Sequence, residues 1–204
     1  MSDVVYGLTN GILNWPGSSK NWNGRGVTWL HNHDTECQAE KIEYFCGIVG
    51  RAFGQNDRVL KLYRTFTFYK SRRIIQIAHS NGCAVLLDAL REHDDFPLVD
   101  TIHLVCAASD GDFEKNGLNK LLTDGRVGNV FVYMAAKDEA LRGADTIIGS
   151  ILGYGHLGLD GPSNISAAVS SRIKVINAAP WDNYGHSDCW HDDNFDNTMA
   201  NFVV

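Results

Sequence analysis

Residues 78–82 read Ala-His-Ser-Asn-Gly and place Ser80 between the apolar run Ile74-Ile75-Gln76-Ile77 and a segment, 83–92, whose Val85, Leu86, Ala89 and Leu90 fall at helical spacing. A serine hydroxyl is a poor nucleophile at neutral pH and becomes a good one when a base takes its proton and a carboxylate orients that base. A strand that passes at once into a helix supplies the matching geometry. The tight turn lifts the hydroxyl above the carboxyl edge of a sheet, and its strained dihedrals leave room only for small side chains two residues away on either side, here Ala78 and Gly82. The helix after the turn points free amides and the positive end of its dipole at the place where an oxyanion would develop. A second constellation, His31-Asn32-His33-Asp34, joins imidazole and carboxylate groups as divalent-metal sites do, with His191-Asp192-Asp193 as the available second group. A metal-dependent hydrolase built on His31, His33 and Asp34 is therefore one alternative, and a polar loop near the rim of the site is the more ordinary reading of the same residues.

The elements that must position Ser80 are short β-branched runs separated by helix-length segments, the pattern of a parallel sheet covered by helices. Strands are expected at 4–8, 27–31, 74–78, 101–107, 129–135 and 172–177. Three of them (IIQIA, TIHLVCA and NVFVYMA) are almost continuously apolar, which suits burial on both faces. Residues 35–53 place Ile42, Phe45, Val49 and Phe53 three and four apart and predict a helix capped by Thr35. A last helix is expected from Phe195 onward, with Met199 and Phe202 on its apolar face, closing the sheet edge. Residues 14–25 are dense in Gly, Ser, Asn and Pro and predict an irregular surface loop. Residues 148–166 are glycine-rich yet carry Ile151, Leu152, Tyr154 and Leu157, as either a cap over a pocket or a packed crossover would.

The chain of 204 residues is the size of one domain, spanning 1–204, with 44% hydrophobic content for its core. A formal charge of −6, with the basic residues spread out apart from Lys70, Arg72 and Arg73, speaks against a nucleic-acid partner. No stretch approaches the roughly 20 apolar residues of a membrane span, and the N-terminus MSDVVYGLTNG lacks the basic and apolar regions of an export signal, so a cytoplasmic location is expected. Five cysteines with no Cys-x-x-Cys pair suit reduced, mostly buried thiols rather than a disulfide framework or a structural zinc site.

With its strand before and helix after, Ala78-His79-Ser80-Asn81-Gly82 resembles the Gly-x-Ser-x-Gly motif of the α/β-hydrolase superfamily, with alanine in place of the first glycine. The resemblance runs over almost the whole chain in a compact form. It implies a predominantly parallel sheet of about six strands with helices on both faces, the family's first antiparallel hairpin being absent or vestigial. The family order of serine, acid and histidine implies Asp138, after NVFVYMA, as the orienting acid, with Asp110 as the alternative one strand earlier. It implies His186, in the Gly-His-Ser loop after the last strand, as the base. The oxyanion donors implied are the amide of Asn81 and one from the turn after the first strand, where Asn10-Gly11 makes Ile12 the expected residue. The activity implied is that of a serine hydrolase (esterase/lipase-like) acting on a small-molecule carboxylic ester without cofactor or metal. Trp15, Trp22 and Trp29 near the early loop and Trp181, Tyr184 and Trp190 around His186 are candidate aromatic walls. A catalytically silent scaffold of this family acting as a binding protein is the alternative from another class; such scaffolds usually lose a member of the triad, and here all three residue types are present in order.

Overall fold

Six strands assemble in a computed structural model that describes residues 3–11, 21–43, 55–70, 72–143 and 155–203. They are β1 (Val4–Thr9), β2 (Gln38–Ile42), β3 (Arg73–His79), β4 (Val99–Val105), β5 (Val127–Tyr133) and β6 (Ile173–Ile176), in the order β2-β1-β3-β4-β5-β6. Every neighbouring pair is parallel.

Parallel strands need crossovers, and the crossovers cover both faces. Alternate residues divide accordingly. On one face Val5, Ile74, Ile102, Leu104, Val130 and Val132 pack with the helices α2 (Gln55–Thr67), α3 (Asn81–Glu92) and α4 (Leu118–Thr123), which contribute Leu62, Phe66, Leu86 and Leu122. On the other, Tyr6, Leu8, Ile75, Ile77 and Tyr133 pack with Leu30 of α1 (Trp22–His33) and with Phe195 and Met199 of a late helix, Asp192–Ala200. Two short helices, α5 (Glu139–Gly143) and α6 (Leu157–Asp160), lie beyond β5, which makes the late helix α7. Among the described residues, no helix is long and apolar enough to cross a membrane. None of the four described cysteines, Cys37, Cys83, Cys106 and Cys189, is in a disulfide, and all are buried.

Three expected elements differ, the first being the end of the surface loop expected at 14–25, since α1 begins at Trp22 with Trp22 and Asn23 buried. Residues 27–31 are not a strand but the second half of α1. Their β-branched and aromatic character is overridden because Trp22, Gly26 and Leu30, four apart, present one buried face. Gly26 makes that packing possible: a Cβ there would lie 2.4 Å from Leu8 Cδ2. The second strand is instead Gln38–Ile42, inside the segment expected to be helical, and the remainder of that segment, 44–53, lies outside the described residues. Helix α7 also differs in role, covering a face of the sheet rather than its edge.

The chain runs outward from β1 to β2 and then crosses to β3 on the other side of β1. Strand order therefore reverses between β1 and β3, and in open parallel sheets the crevice at the carboxyl ends of two such strands is where ligands bind. Asn10-Gly11 follows β1 and Ser80 follows β3 at this point. The first turn of α3 is pressed against the end of β1, since a Cβ on Gly82 would lie 2.5 Å from the Asn10 carbonyl oxygen and 2.6 Å from that of Thr9. His31-Asn32-His33-Asp34 lies at the opposite end: α1 starts near the tip of β3, with Trp22 against His79, runs about 17 Å, and ends where β2 begins, at the amino edge of the sheet.

His103, in the middle of β4, is fully buried, with Nδ1 3.0 Å from the Tyr133 hydroxyl, and burial pushes its pKa down to about 3. An unfolded histidine titrates near 6.5, so the stability that comes from keeping this ring neutral is complete above about pH 6.5 and falls by about 1.4 kcal/mol per pH unit on acidification toward pH 3. Urea unfolding at pH 7 and pH 5 should show a larger loss for the wild type than for His103→Phe, and equal losses would contradict a buried neutral His103. Gly82→Val forces side-chain atoms into two carbonyl oxygens and should cost about 1–3 kcal/mol; a melting temperature equal to that of the wild type would contradict the close approach.

Candidate active site

Ser80 occupies the turn between β3 and α3 with φ 56° and ψ −125°, a backbone conformation that a residue with a side chain adopts only under constraint. The constraint is visible in its hydrogen bonds. Its N–H donates to the Val105 carbonyl at 2.9 Å, and its own carbonyl accepts from Cys83 N at 3.1 Å and Ala108 N at 3.2 Å. Both flanking positions are filled as the turn demands, Ala78 being fully buried and Gly82 in contact with β1. Gly11 stands directly beside Ser80, where a Cβ would come within 3.2 Å of Ser80 Oγ.

His186 and Asp138 reach Ser80 from two loops. Ser80 Oγ lies 2.9 Å from His186 Nε2, and His186 Nδ1 lies 2.7 Å from Asp138 Oδ2. The Asp138 carboxylate is completely buried, and its second oxygen accepts the Leu141 N–H at 2.8 Å. Asp138 thus caps the first turn of α5 with one oxygen and meets the His186 imidazole with the other. The two loops are stitched together by their backbones: Ala136 N donates to the Trp181 carbonyl at 3.4 Å and Lys137 N to that of Tyr184 at 3.1 Å. Asp188 Oδ2 accepts the Gly185 N–H at 2.8 Å and braces the turn that carries His186.

The arrangement has the parts for proton transfer from a hydroxyl: a hydroxyl beside a ring nitrogen whose partner nitrogen faces a carboxylate. Asn81 is the first residue of α3, where backbone amides have no carbonyl partner within the helix. Ile12, expected as the other oxyanion donor, lies outside the described residues, as does Trp15.

Asp110 does not join this chain. It is exposed, its Oδ1 accepts the Asp112 N–H at 2.9 Å, and it lines a cavity of about 400 Å³ with Asp112, His156 and Asp160. Nor do His31, His33 and Asp34 approach Ser80. His33 Nδ1 is 2.8 Å from the Trp29 carbonyl on the exposed end of α1, and among the described residues no group of three or more His, Cys, Asp or Glu side chains could hold a metal ion. The part of 148–166 that is described packs on the loop after β4, Leu157 N donating to the Ser109 carbonyl at 3.0 Å and Gly158 N to that of Ala107 at 2.9 Å, and it also forms one side of the cavity that Asp110 lines.

Two features went unread in the sequence. His79, noted only as part of the turn, is buried with Nε2 2.8 Å from the His186 carbonyl oxygen. Trp22 and Trp190, expected on separate walls, stack on each other with centroids 4.1 Å apart and both meet the His79 ring edge-on. Trp29, by contrast, stacks on His33 away from the turn. The only sequence signal for these contacts was the aromatic density on either side of His186.

No protein-family model matches the chain, and no curated protein matches its sequence. Solved structures do. A protein from Agrobacterium vitis S4, named a putative hydrolase, superposes with a TM-score of 0.56 at 11% identity, covering 97% of this chain and 86% of its own. An acetyl xylan esterase superposes with a TM-score of 0.53 at 12% identity, covering 100% of this chain and 97% of its own. Likeness at this level of identity concerns the fold, and it agrees with the parallel six-stranded sheet. The chain has the α/β-hydrolase fold in a compact form.

Proposed function

We propose that the protein is a serine hydrolase that cleaves carboxylic esters through an acyl-enzyme. The observation that carries this reading is the unbroken hydrogen-bonded sequence from Ser80 through His186 to Asp138, beginning at a serine held at positive φ. His186 Nε2 takes the hydroxyl proton as Ser80 Oγ attacks the ester carbonyl. Asp138 holds Nδ1–H and balances the imidazolium that forms. The oxyanion is held by the amide of Asn81 and, from the turn after β1, by that of Ile12. His186 then passes its proton to the departing alcohol. A water molecule, deprotonated by His186 in turn, attacks the acyl carbonyl and releases the acid, returning the proton to Ser80. Each step uses groups of this chain, a small-molecule ester and water.

The charge balance explains the roles of the two loops. An imidazolium beside Ser80 is favoured by a carboxylate that is already dehydrated and held by the Leu141 amide, because no solvent must reorganise as charge develops.

A fluorophosphonate probe should label the wild type once, on Ser80, and should label neither Ser80→Ala nor His186→Ala; a folded wild type that stays unlabelled would favour a binding scaffold. The acids should separate equally clearly. Asp138→Asn should lower kcat by roughly 10⁴-fold, whereas Asp110→Asn should leave kcat within about two-fold, as is usual for an exposed side chain away from the chemistry. Comparable losses in the two variants would sink the assignment of Asp138.

A further inference from the structure

We infer that His79, the residue before the nucleophile, is a positioning residue that holds the main chain of His186 so that the base meets Ser80. This rests on the serine-hydrolase reading of the site. Asp138 and Ser80 hold the His186 ring, but the backbone beneath that ring lies in an irregular stretch between two single 3₁₀ turns, Trp181–Asn183 and Asp188–Trp190. Its carbonyl oxygen is 2.8 Å from His79 Nε2. Two consecutive residues at the tip of β3 therefore grip the same histidine, His79 by its main chain and Ser80 by its ring. Base and nucleophile are registered to one rigid strand end.

The chemistry of the contact fixes the protonation of His79. A carbonyl only accepts, so Nε2 carries the proton and donates it. Nδ1, buried, has no hydrogen-bond partner among the described residues. The ring is 4% exposed, set edge-on to Trp22 at 6.3 Å and Trp190 at 5.6 Å. Arg25 braces this wall, donating from Nη1 to the Trp190 carbonyl at 3.1 Å. Burial, and then the neighbouring His186, push the His79 pKa down to about 3. A neutral His79 matters because its ring centroid is 4.9 Å from that of His186, and a second cation at that range would oppose the charge His186 acquires when it takes the Ser80 proton. The residue thus donates one hydrogen bond without adding a charge.

The test compares three variants of the full chain. His79→Phe keeps a flat ring and removes the donor. His79→Gln places an amide N–H at about the same reach. His79→Asn has an amide that falls one bond short of the His186 carbonyl, and it serves as a second variant without this hydrogen bond if the phenylalanine does not fold. His79→Phe and His79→Asn should lower kcat by up to roughly 100-fold, the scale of loss from a displacement of about 1 Å at a reacting group, with KM within about two-fold, while His79→Gln restores most of kcat. The low-field proton resonance of His186 Nδ1–H, bonded to Asp138, should be sharp in the wild type and His79→Gln and exchange-broadened in the other two. A resonance and kcat unchanged in His79→Phe or His79→Asn would overturn the inference, as would losses that track the melting temperature and are equal in the glutamine variant. The resonance reads positioning without turnover, so it separates failure of this inference from failure of the serine-hydrolase reading, which would show as a wild type that the fluorophosphonate does not label.

Discussion

Everything at this site depends on a backbone held where a side-chain-bearing residue does not go unaided. Ser80 keeps a positive φ because its amide and carbonyl are both tied, to Val105 on one side and to Cys83 and Ala108 on the other. The strain costs of order 1–3 kcal/mol and is offset by the sheet and helix that meet there. Releasing it would turn the hydroxyl away from His186. The same constraint sets the identity of its neighbours. The end of β1 runs so close to the first turn of α3 that position 82 has no room for a Cβ, and Gly11 leaves the space beside Ser80 Oγ open.

The second requirement is electrostatic. A carboxylate with no exposure is costly unless its oxygens are satisfied, and Asp138 meets this with one backbone amide and one imidazole. Its loop and the loop of His186 share backbone hydrogen bonds, so Asp138 and His186 are placed by one joint structure. His79 ties that structure back to β3. The buried neutral histidines, His79 and His103, both stay uncharged because burial disfavours their protonated forms.

Much of this was legible in the sequence for identifiable reasons. Strands β3, β4 and β5 are central and covered on both faces, so they read as continuous apolar runs, and the turn with its serine stood out between one such run and a clear helical period. Asp138 and His186 were implied by the resemblance, through its order of serine, acid and histidine, once the turn was recognised. Strand β2 was hidden because it is an edge strand with only Ile42 fully buried, which leaves no apolar run to notice. Helix α1 was misread because Gly24 and Gly26 dilute its period, while Val27, Thr28 and Trp29 favour strands when considered locally. The pairing that makes a tight glycine contact useful there, between Gly26 and Leu8, exists only after folding. The contact of His79 with a residue 107 positions away lies beyond any local pattern.

Covalent acylation of Ser80 can be observed by quenching the protein in acid during turnover of an activated ester such as p-nitrophenyl acetate and measuring the mass of the intact chain and of the peptide containing Ser80. A serine nucleophile at this turn predicts one added acetyl group, located on Ser80 and absent in Ser80→Ala. Hydrolysis that proceeds with no acyl adduct, or with the adduct on a different side chain, would contradict it.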